Sequence, residues 1–86
     1  MTTREIFEKN QQLSTEFDLY LIEHPETADQ IPDGALVVFV PAFDKELARR
    51  NQALARKSRA PGQRVVFVKV AHMSASRLQG LSLKVA

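Results

Sequence analysis

The hydrophobic pattern of this 86-residue chain is dominated by one four-letter run, VVFV, which occurs at residues 37–40 and again at 65–68. Both runs are short, rich in β-branched residues and not interrupted by alternating polar positions. That pattern is typical of strands that are buried on both faces, as in parallel sheets. We therefore predict strands at about residues 35–40 and 65–71.

The N-terminal segment predicts one long helix, at about residues 3–23. Thr2 and Glu5 fit a capping box, which satisfies free backbone N–H groups at a helix start. One face then carries residues at helical spacings: Ile6, Asn10, Leu13, Phe17 and Tyr20. Residues 19–22 are apolar all round, which predicts additional surface to bury there. The residue before Pro25 ends the helix.

The segment between the two apolar runs predicts a crossover helix, at about residues 44–58. Asp44 is a favourable N-cap for it. A strand–helix–strand connection of this length joins parallel neighbours with a right-handed crossover. In that arrangement we expect Phe39 and Phe67 on the same face of the sheet.

The C-terminal segment predicts a loop at residues 72–80 and an edge strand at about 81–85, where apolar and polar residues alternate. The link is too short for another helical crossover, so we expect this strand to be antiparallel. The complete prediction is an α/β fold in a single domain, residues 1–86. It consists of a small sheet with two parallel central strands, the crossover helix, the long N-terminal helix and the edge strand.

Each long helix carries one asparagine on an otherwise apolar stripe, at Asn10 and at Asn51. Burying an amide without a partner costs about 1–3 kcal/mol, so each must be hydrogen-bonded. The sequence is compatible with three kinds of partner: a loop backbone or strand end, a group across a subunit interface, or a ligand. We adopt the first, in which the bond fixes the position of the helix.

The net charge of +2 conceals an uneven distribution. Residues 1–44 contain two basic and nine acidic side chains, whereas residues 45–86 contain ten basic and one acidic. Such asymmetry can mark a nucleic-acid-binding surface. The interpretation we favour is that the halves neutralise each other within the fold, or in a head-to-tail contact between subunits.

A basic row on and after the crossover helix is the candidate nucleic-acid surface: Lys45, Arg49, Arg56, Arg59 and Arg64. These side chains could neutralise phosphates. However, no aromatic residue lies between positions 44 and 66, so this segment lacks the stacking platform of single-strand-binding proteins. A solvated helix face is the competing interpretation.

A candidate ligand site follows from the rule that loops after parallel strands meet at one edge of a sheet. Its residues are Phe43, Asp44, His72, Ser76 and Arg77. His72 would be the natural proton carrier, because histidine titrates near neutral pH. No catalytic residue is assigned, since the spacing matches no nucleophile motif. In the competing interpretation Phe43 packs in the core, Asp44 caps its helix and His72 faces water.

Composition excludes several kinds of chemistry. The chain has no cysteine, so disulfides, thiolate nucleophiles and zinc–thiolate sites are impossible. Its three glycines are isolated, so it has no glycine-rich phosphate loop. The two histidines are far apart, and we predict no metal site and no cofactor. The chain lacks both a signal-peptide pattern and an apolar run of the ~20 residues that span a bilayer, so we expect a cytoplasmic protein without membrane contact.

Several segments together resemble a family of short, uncharacterised bacterial and archaeal proteins. The resemblance covers roughly residues 10–78. It rests on Asn10, Phe17, YLIEHPE at 20–26, Ile31–Pro32, Ala35 with the strand after it, NQALA at 51–55 and Ser76–Arg77–Leu78. It implies a free-standing prokaryotic protein of one domain, and it brings no activity, ligand or catalytic residue.

The function favoured by the residues is a small non-enzymatic interaction module that self-associates as a dimer. A small sheet and a broad apolar helix end leave surface that a second subunit could bury. The alternative is a nucleic-acid-associated protein that uses its basic C-terminal half. A small enzyme or ligand binder acting at the strand ends is the third hypothesis.

Overall fold

The structure, a computed structural model, describes residues 1–74 and 77–86. Its elements are α1 (Thr3–Glu23), α2 (Pro25–Ala28), β1 (Leu36–Pro41), α3 (Lys45–Ser58), β2 (Val65–Ser74) and β3 (Arg77–Val85). The predicted α/β fold is confirmed, with a long N-terminal helix, two parallel strands joined by a helix, and a C-terminal strand. Among the described residues, no helix has both the length and the hydropathy to cross a membrane.

Helix α1 begins at the predicted capping box. The Thr2 hydroxyl accepts a hydrogen bond from the Glu5 N–H at 3.1 Å, and the Glu5 carboxylate accepts one from the Thr2 N–H at 3.2 Å. The bond from the Thr2 backbone lowers the pKa of Glu5. At the other end His24 stacks on Tyr20, with ring centroids 4.1 Å apart. Pro25 then opens the short helix α2.

The sheet has the order β1-β2-β3, with β1 and β2 parallel and β2 and β3 antiparallel. Within the described chain β2 is therefore the central strand, and β1, predicted to be central, lies at an edge. The predicted loop at 72–80 is wrong, because β2 continues to Ser74 and β3 begins at Arg77. His72, one of the polar residues that indicated a loop, lies on the part of β2 that extends past its pairing with β1, and it is exposed there.

The hairpin of β2 and β3 requires glycine at position 80. Its φ is 63°, in the left-handed region that glycine adopts readily. A Cβ at this position would lie 2.5 Å from the Cβ of Ala71. The close approach of β2 and β3 at this point therefore depends on the missing side chain.

The two VVFV runs pair out of step by one residue. Val38 lies beside Phe67, and Phe39 lies beside Val68. Paired residues share a face of the sheet, and successive residues alternate between faces. Phe39 and Phe67 therefore point to opposite faces, and the prediction that they share one is wrong. The repeat could not define the register, because a run of four apolar residues can be buried in either alignment.

Helix α1 covers one face of the sheet, which we call the α1 face. Its buried residues Leu13 and Phe17 join the main core cluster together with Phe39, Val66 and Val68. Phe17 meets Phe39 edge to face, with ring centroids 5.6 Å apart and planes at 82°. The main core thus lies between α1 and the sheet.

Helix α3 packs along β1 and contributes to both faces of the sheet. Leu47 near its start belongs to the main cluster, whereas Ala55 near its end packs with Val38 and Val65 in a second cluster. Beyond β1 this second face is largely exposed, and we call it the open face. Its residues on β2 and β3 include Val65, Phe67, Lys69, Ser82 and Lys84.

Candidate functional site

Asn10 of α1 and Asn51 of α3 pair with each other at the edge of β1. The Asn10 Nδ2 donates to the Asn51 Oδ1 at 2.9 Å, and the Asn51 Nδ2 donates to the Asn10 Oδ1 at 2.8 Å. The Asn51 Nδ2 also donates to the backbone carbonyl of Phe39 at 2.9 Å. Asn51 is buried, and its amide uses both donors and its acceptor within the chain. The partners are thus internal, although the backbone partner lies within a strand rather than in a loop.

The carbonyl that Asn51 binds belongs to the free edge of β1. The Leu36 N–H donates to the Arg64 carbonyl at 2.9 Å, and the Ala42 N–H donates to the Val70 carbonyl at 2.8 Å. Because alternate residues of a strand bond to one neighbour, the backbone groups of Val37 and Phe39 point away from β2. A free strand edge is a template for pairing with another chain. Asn51 covers this edge at Phe39.

A groove of about 310 Å³ opens beside the asparagine pair, and we call it the edge groove. It is lined by residues 36–39 of β1 and by residues of the two long helices: Phe7, Asn10, Gln11, Ser14, Asn51, Leu54, Ala55 and Ser58. Phe7 is 66% exposed and Leu54 is 47% exposed. Two large apolar side chains therefore stand in water beside an apolar groove.

The predicted strand-end site is only partly described by the structure. Phe43 is 50% exposed, so the part of the competing interpretation that packs it in the core is wrong. His72 is exposed and lies within β2, not in a loop after it. Ser76 lies outside the described residues, as does the side chain of Arg77. Of the three members whose side chains the structure describes, Phe43, Asp44 and His72, none lines the edge groove. The site as a whole stays a prediction.

Asp44, the remaining member of that site, has two structural partners. Its Oδ1 accepts the Leu47 N–H at 3.1 Å, which is the predicted N-cap bond. Its Oδ2 lies 3.0 Å from the Lys9 Nζ. The bond from the Leu47 backbone, followed by that from Lys9, lowers the pKa of the Asp44 carboxyl. A carboxylate held ionised in this way ties α1 to the start of α3 and is a poor proton acceptor at neutral pH.

The described residues do not form an evident metal site. In this part of the chain, no three His, Asp or Glu side chains lie close enough together to share an ion. The His24 Nδ1 lies 3.1 Å from the Tyr20 carbonyl, at the end of α1. Concave surfaces such as the edge groove are therefore better candidates for a binding site than a metal centre.

The charge asymmetry is not neutralised by the ion pairs between described residues. These four pairs are Met1 ammonium–Glu46, Arg4–Glu8, Lys9–Asp44 and Arg50–Glu46. None of them joins an acid of residues 1–44 to a base of residues 45–86. Neutralisation between the halves stays a prediction, as does a head-to-tail contact between copies.

The five residues of the predicted basic row are all exposed, and two of them lie at a second cleft. We call this the open-face cleft, with a volume of about 360 Å³. It is lined by Gln52, Ala55, Arg56, Arg59, Val65, Phe67 and Ala86. Phe67 is an aromatic side chain next to the basic row. Sequence reasoning missed it, because Phe67 belongs to the next strand and lies just beyond the segment without aromatic residues. The alternation of faces along β2 was the signal that could have found it.

The apolar end of α1 is exposed rather than covered. Leu19 is 45% exposed and Ile22 is 77% exposed. Leu21 in the same run is partly buried against the main core, so only Leu19 and Ile22 provide the additional exposed surface that the sequence predicted. The surface of α1 thus carries apolar side chains in two places, at the edge groove and at its C-terminal end.

Comparison with known proteins places the chain in a family. Residues 5–81 match a model described as Family of unknown function (DUF5647). The chain belongs to this family. The match confirms the resemblance to a family of unknown function, and it extends past residues 10–78 in both directions. Neither the curated proteins nor the solved structures gave a match.

The matched span of this DUF5647 family member includes the asparagine pair and the whole edge groove. It also includes every residue of the open-face cleft except Ala86. The family description names no activity, so any function must be argued from these surfaces.

Proposed function

We propose that the protein is a self-associating interaction domain that forms a two-fold dimer through the edge groove. The observation that carries the proposal is that Phe7 is 66% exposed and lines the edge groove of about 310 Å³. A second copy of the chain could insert its own Phe7 into this groove. In a two-fold contact one patch serves both subunits, so it must be complementary to itself. A protruding aromatic side chain beside an apolar groove meets this requirement, with each Phe7 entering the groove of the partner.

Two further features support this surface. Leu54, on α3, adds a second exposed apolar side chain to the same groove. The backbone of Val37 lies at the free edge of β1 within the groove, and strand edges are commonly covered by other parts of a protein or by a partner. An 86-residue chain buries only a moderate fraction of its surface, so dimerisation would add to its stability.

The proposal also includes the domain organisation, the cellular location and the source of the protein. A single domain over residues 1–86 fits the main core, to which α1, α3 and the sheet all contribute. A cytoplasmic location fits a sequence without cysteine. The sequence resemblance supports a prokaryotic source. The role is that of a binding module rather than an enzyme.

The test is sedimentation equilibrium at micromolar concentrations. The wild-type protein should be a dimer, and Phe7→Ser should shift it toward monomer because the side chain that fills the groove is lost. Ile22→Ser is the matched control, since Ile22 is even more exposed on the same helix and does not line the groove. A wild-type monomer would contradict self-association, and a dimer lost only in Ile22→Ser would contradict the edge groove as the interface.

A further inference from the structure

The open-face cleft is a second concave surface, separate from the edge groove. Among the described residues that line them, the two have only Ala55 in common. The cleft lies between the last turns of α3 and the open face of the sheet, where Val65 and Phe67 contribute apolar surface. Its volume of about 360 Å³ falls at the lower end of the range for small-molecule pockets, roughly 300–1,000 Å³.

Four basic side chains surround Phe67 on this side of the molecule. Arg56 and Arg59 line the cleft. Lys84 is the cross-strand partner of Phe67, and Lys69 follows two residues later on the same face of β2. All four are exposed, and no ion pair between described residues neutralises any of them.

The arginine at the end of α3 is held in place by its own contact. The Arg59 Nε donates to the Gln63 carbonyl at 2.7 Å. This bond restrains the guanidinium, and its terminal N–H groups remain outside the hydrogen bonds that the structure describes. A fixed guanidinium loses less conformational freedom when it binds an anion, and its planar fork matches two oxygens of a phosphate.

We propose that the open-face cleft binds a nucleoside phosphate, with the base against Phe67 and the phosphate held by Arg56 and Arg59. The aromatic ring offers a flat apolar surface for stacking. The Gln52 amide, which also lines the cleft, can both donate to and accept from a base edge. The four side chains carry more positive charge than is needed to neutralise a single carboxylate. They match a phosphate better, because a phosphate carries more negative charge.

The ligand can be a free nucleotide or one unit of a single strand, since both present the same chemistry. Lys45 and Arg49 continue the helical stripe that contains Gln52 and Arg56, at spacings of three and four residues. Both side chains are exposed. They extend the positive surface beyond the cleft, where the next phosphates of a strand would lie.

The experiment is a titration at low salt followed by NMR, with adenosine 5′-monophosphate, adenosine, inorganic phosphate and a short oligoadenylate as probes. The monophosphate should shift the Phe67 resonances, and adenosine and phosphate should each bind at least about tenfold more weakly. Arg56→Gln should weaken binding of the monophosphate by about tenfold or more. Lys57→Gln is the matched control, because it removes the same charge from the neighbouring position and does not line the cleft.

The aromatic contact is tested separately. Phe67→Leu keeps an apolar side chain but removes the stacking surface, so it should weaken binding about tenfold, whereas Phe67→Tyr should retain it. Binding of oligoadenylate without binding of the monophosphate would support the same site with a strand as its ligand. The Phe7→Ser variant should still bind, because its substitution lies outside the cleft, so this result does not depend on the dimer.

Three results would overturn the proposal. The first is no binding of either the monophosphate or the oligoadenylate to the wild-type protein. The second is an equal loss in Arg56→Gln and Lys57→Gln, which would indicate charge attraction without a site. The third is equal affinity for inorganic phosphate and the monophosphate, which would leave no role for Phe67.

Discussion

Asn10 and Asn51 close a ring of two hydrogen bonds between α1 and α3, and Asn51 ties this ring to the backbone of Phe39. One buried amide thus connects three elements: the helix that covers the core, the crossover helix and the edge strand. Because an amide has directional donors and acceptors, this contact also defines where along their lengths the two helices cross.

Removing either asparagine should therefore destabilise the fold, and the two effects should be coupled. Asn51→Ala should cost about 1–3 kcal/mol, because it leaves the Asn10 amide and the Phe39 carbonyl without their partner. Asn10→Ala should cost less, since Asn51 keeps its bond to Phe39. The double variant should lose less than the sum of the single losses, with a coupling of about 0.5–3 kcal/mol.

Urea denaturation of the four proteins at one concentration measures this cycle. Gln12→Ala is a suitable control, because Gln12 is exposed on α1 and should have little effect on stability. Strictly additive losses would show that the two asparagines do not act as a pair.

Gly80→Ala should be more destabilising than Gly62→Ala. Both glycines have positive φ, 63° and 76°, so both substitutions carry backbone strain of about 1–2 kcal/mol. A Cβ at residue 62 meets nothing within 4 Å, whereas one at residue 80 lies 2.5 Å from the Cβ of Ala71. Thermal unfolding should therefore show the larger loss for Gly80→Ala. Equal losses would contradict the close approach of β2 and β3.

Asp44 should contribute a pH-dependent part of the stability. Its pKa in the folded protein is below the ordinary value of 3.8, so the unfolded chain takes up this proton first as the pH falls. The stabilisation is complete above the ordinary pKa and is lost as the pH falls through the lower folded-state pKa. Below about pH 4 the wild-type protein should therefore lose more stability than Asp44→Asn, which has no carboxyl to titrate.

At neutral pH, two substitutions of Asp44 distinguish its role as N-cap from its ion pair with Lys9. Asp44→Ala should cost about 1 kcal/mol, whereas Asp44→Asn should cost less, because asparagine is a comparable N-cap and the lost ion pair with Lys9 lies near the surface. Chemical denaturation at neutral and acidic pH checks both statements. An identical acid response in the wild-type protein and Asp44→Asn would exclude the carboxyl as its source.

Most of the architecture could be predicted because the sequence features that determine it lie within a few residues of each other. The Thr2–Glu5 capping box and the Asp44 N-cap define helix starts within a few residues of sequence, and both are present. The parallel pairing followed from the length of the connection between two apolar runs. The register and the hairpin did not follow, since register depends on packing across strands, and polar residues occur both in loops and in exposed strands.

The candidate surfaces were less accessible to sequence reasoning, because they combine residues from distant positions. The edge groove joins Phe7 to Leu54, and the open-face cleft joins Arg56 to Phe67. The predicted basic row included Arg56 and Arg59, but their aromatic neighbour became visible only once β2 had been placed beside α3. The strand-end site relied on His72 following its strand, and the longer β2 removes that premise.

The most direct test of the edge groove as a dimer interface is the distance between identical spin labels in the two subunits. The chain has no cysteine, so a single introduced cysteine labels one position only. Gln11→Cys places the label at the groove, and Lys84→Cys places it on the open face as the control. A dimer formed through the edge groove should give a dipolar signal in which the Gln11 labels lie closer together than the Lys84 labels. No dipolar signal from Gln11, or a shorter distance between the Lys84 labels, would contradict this interface.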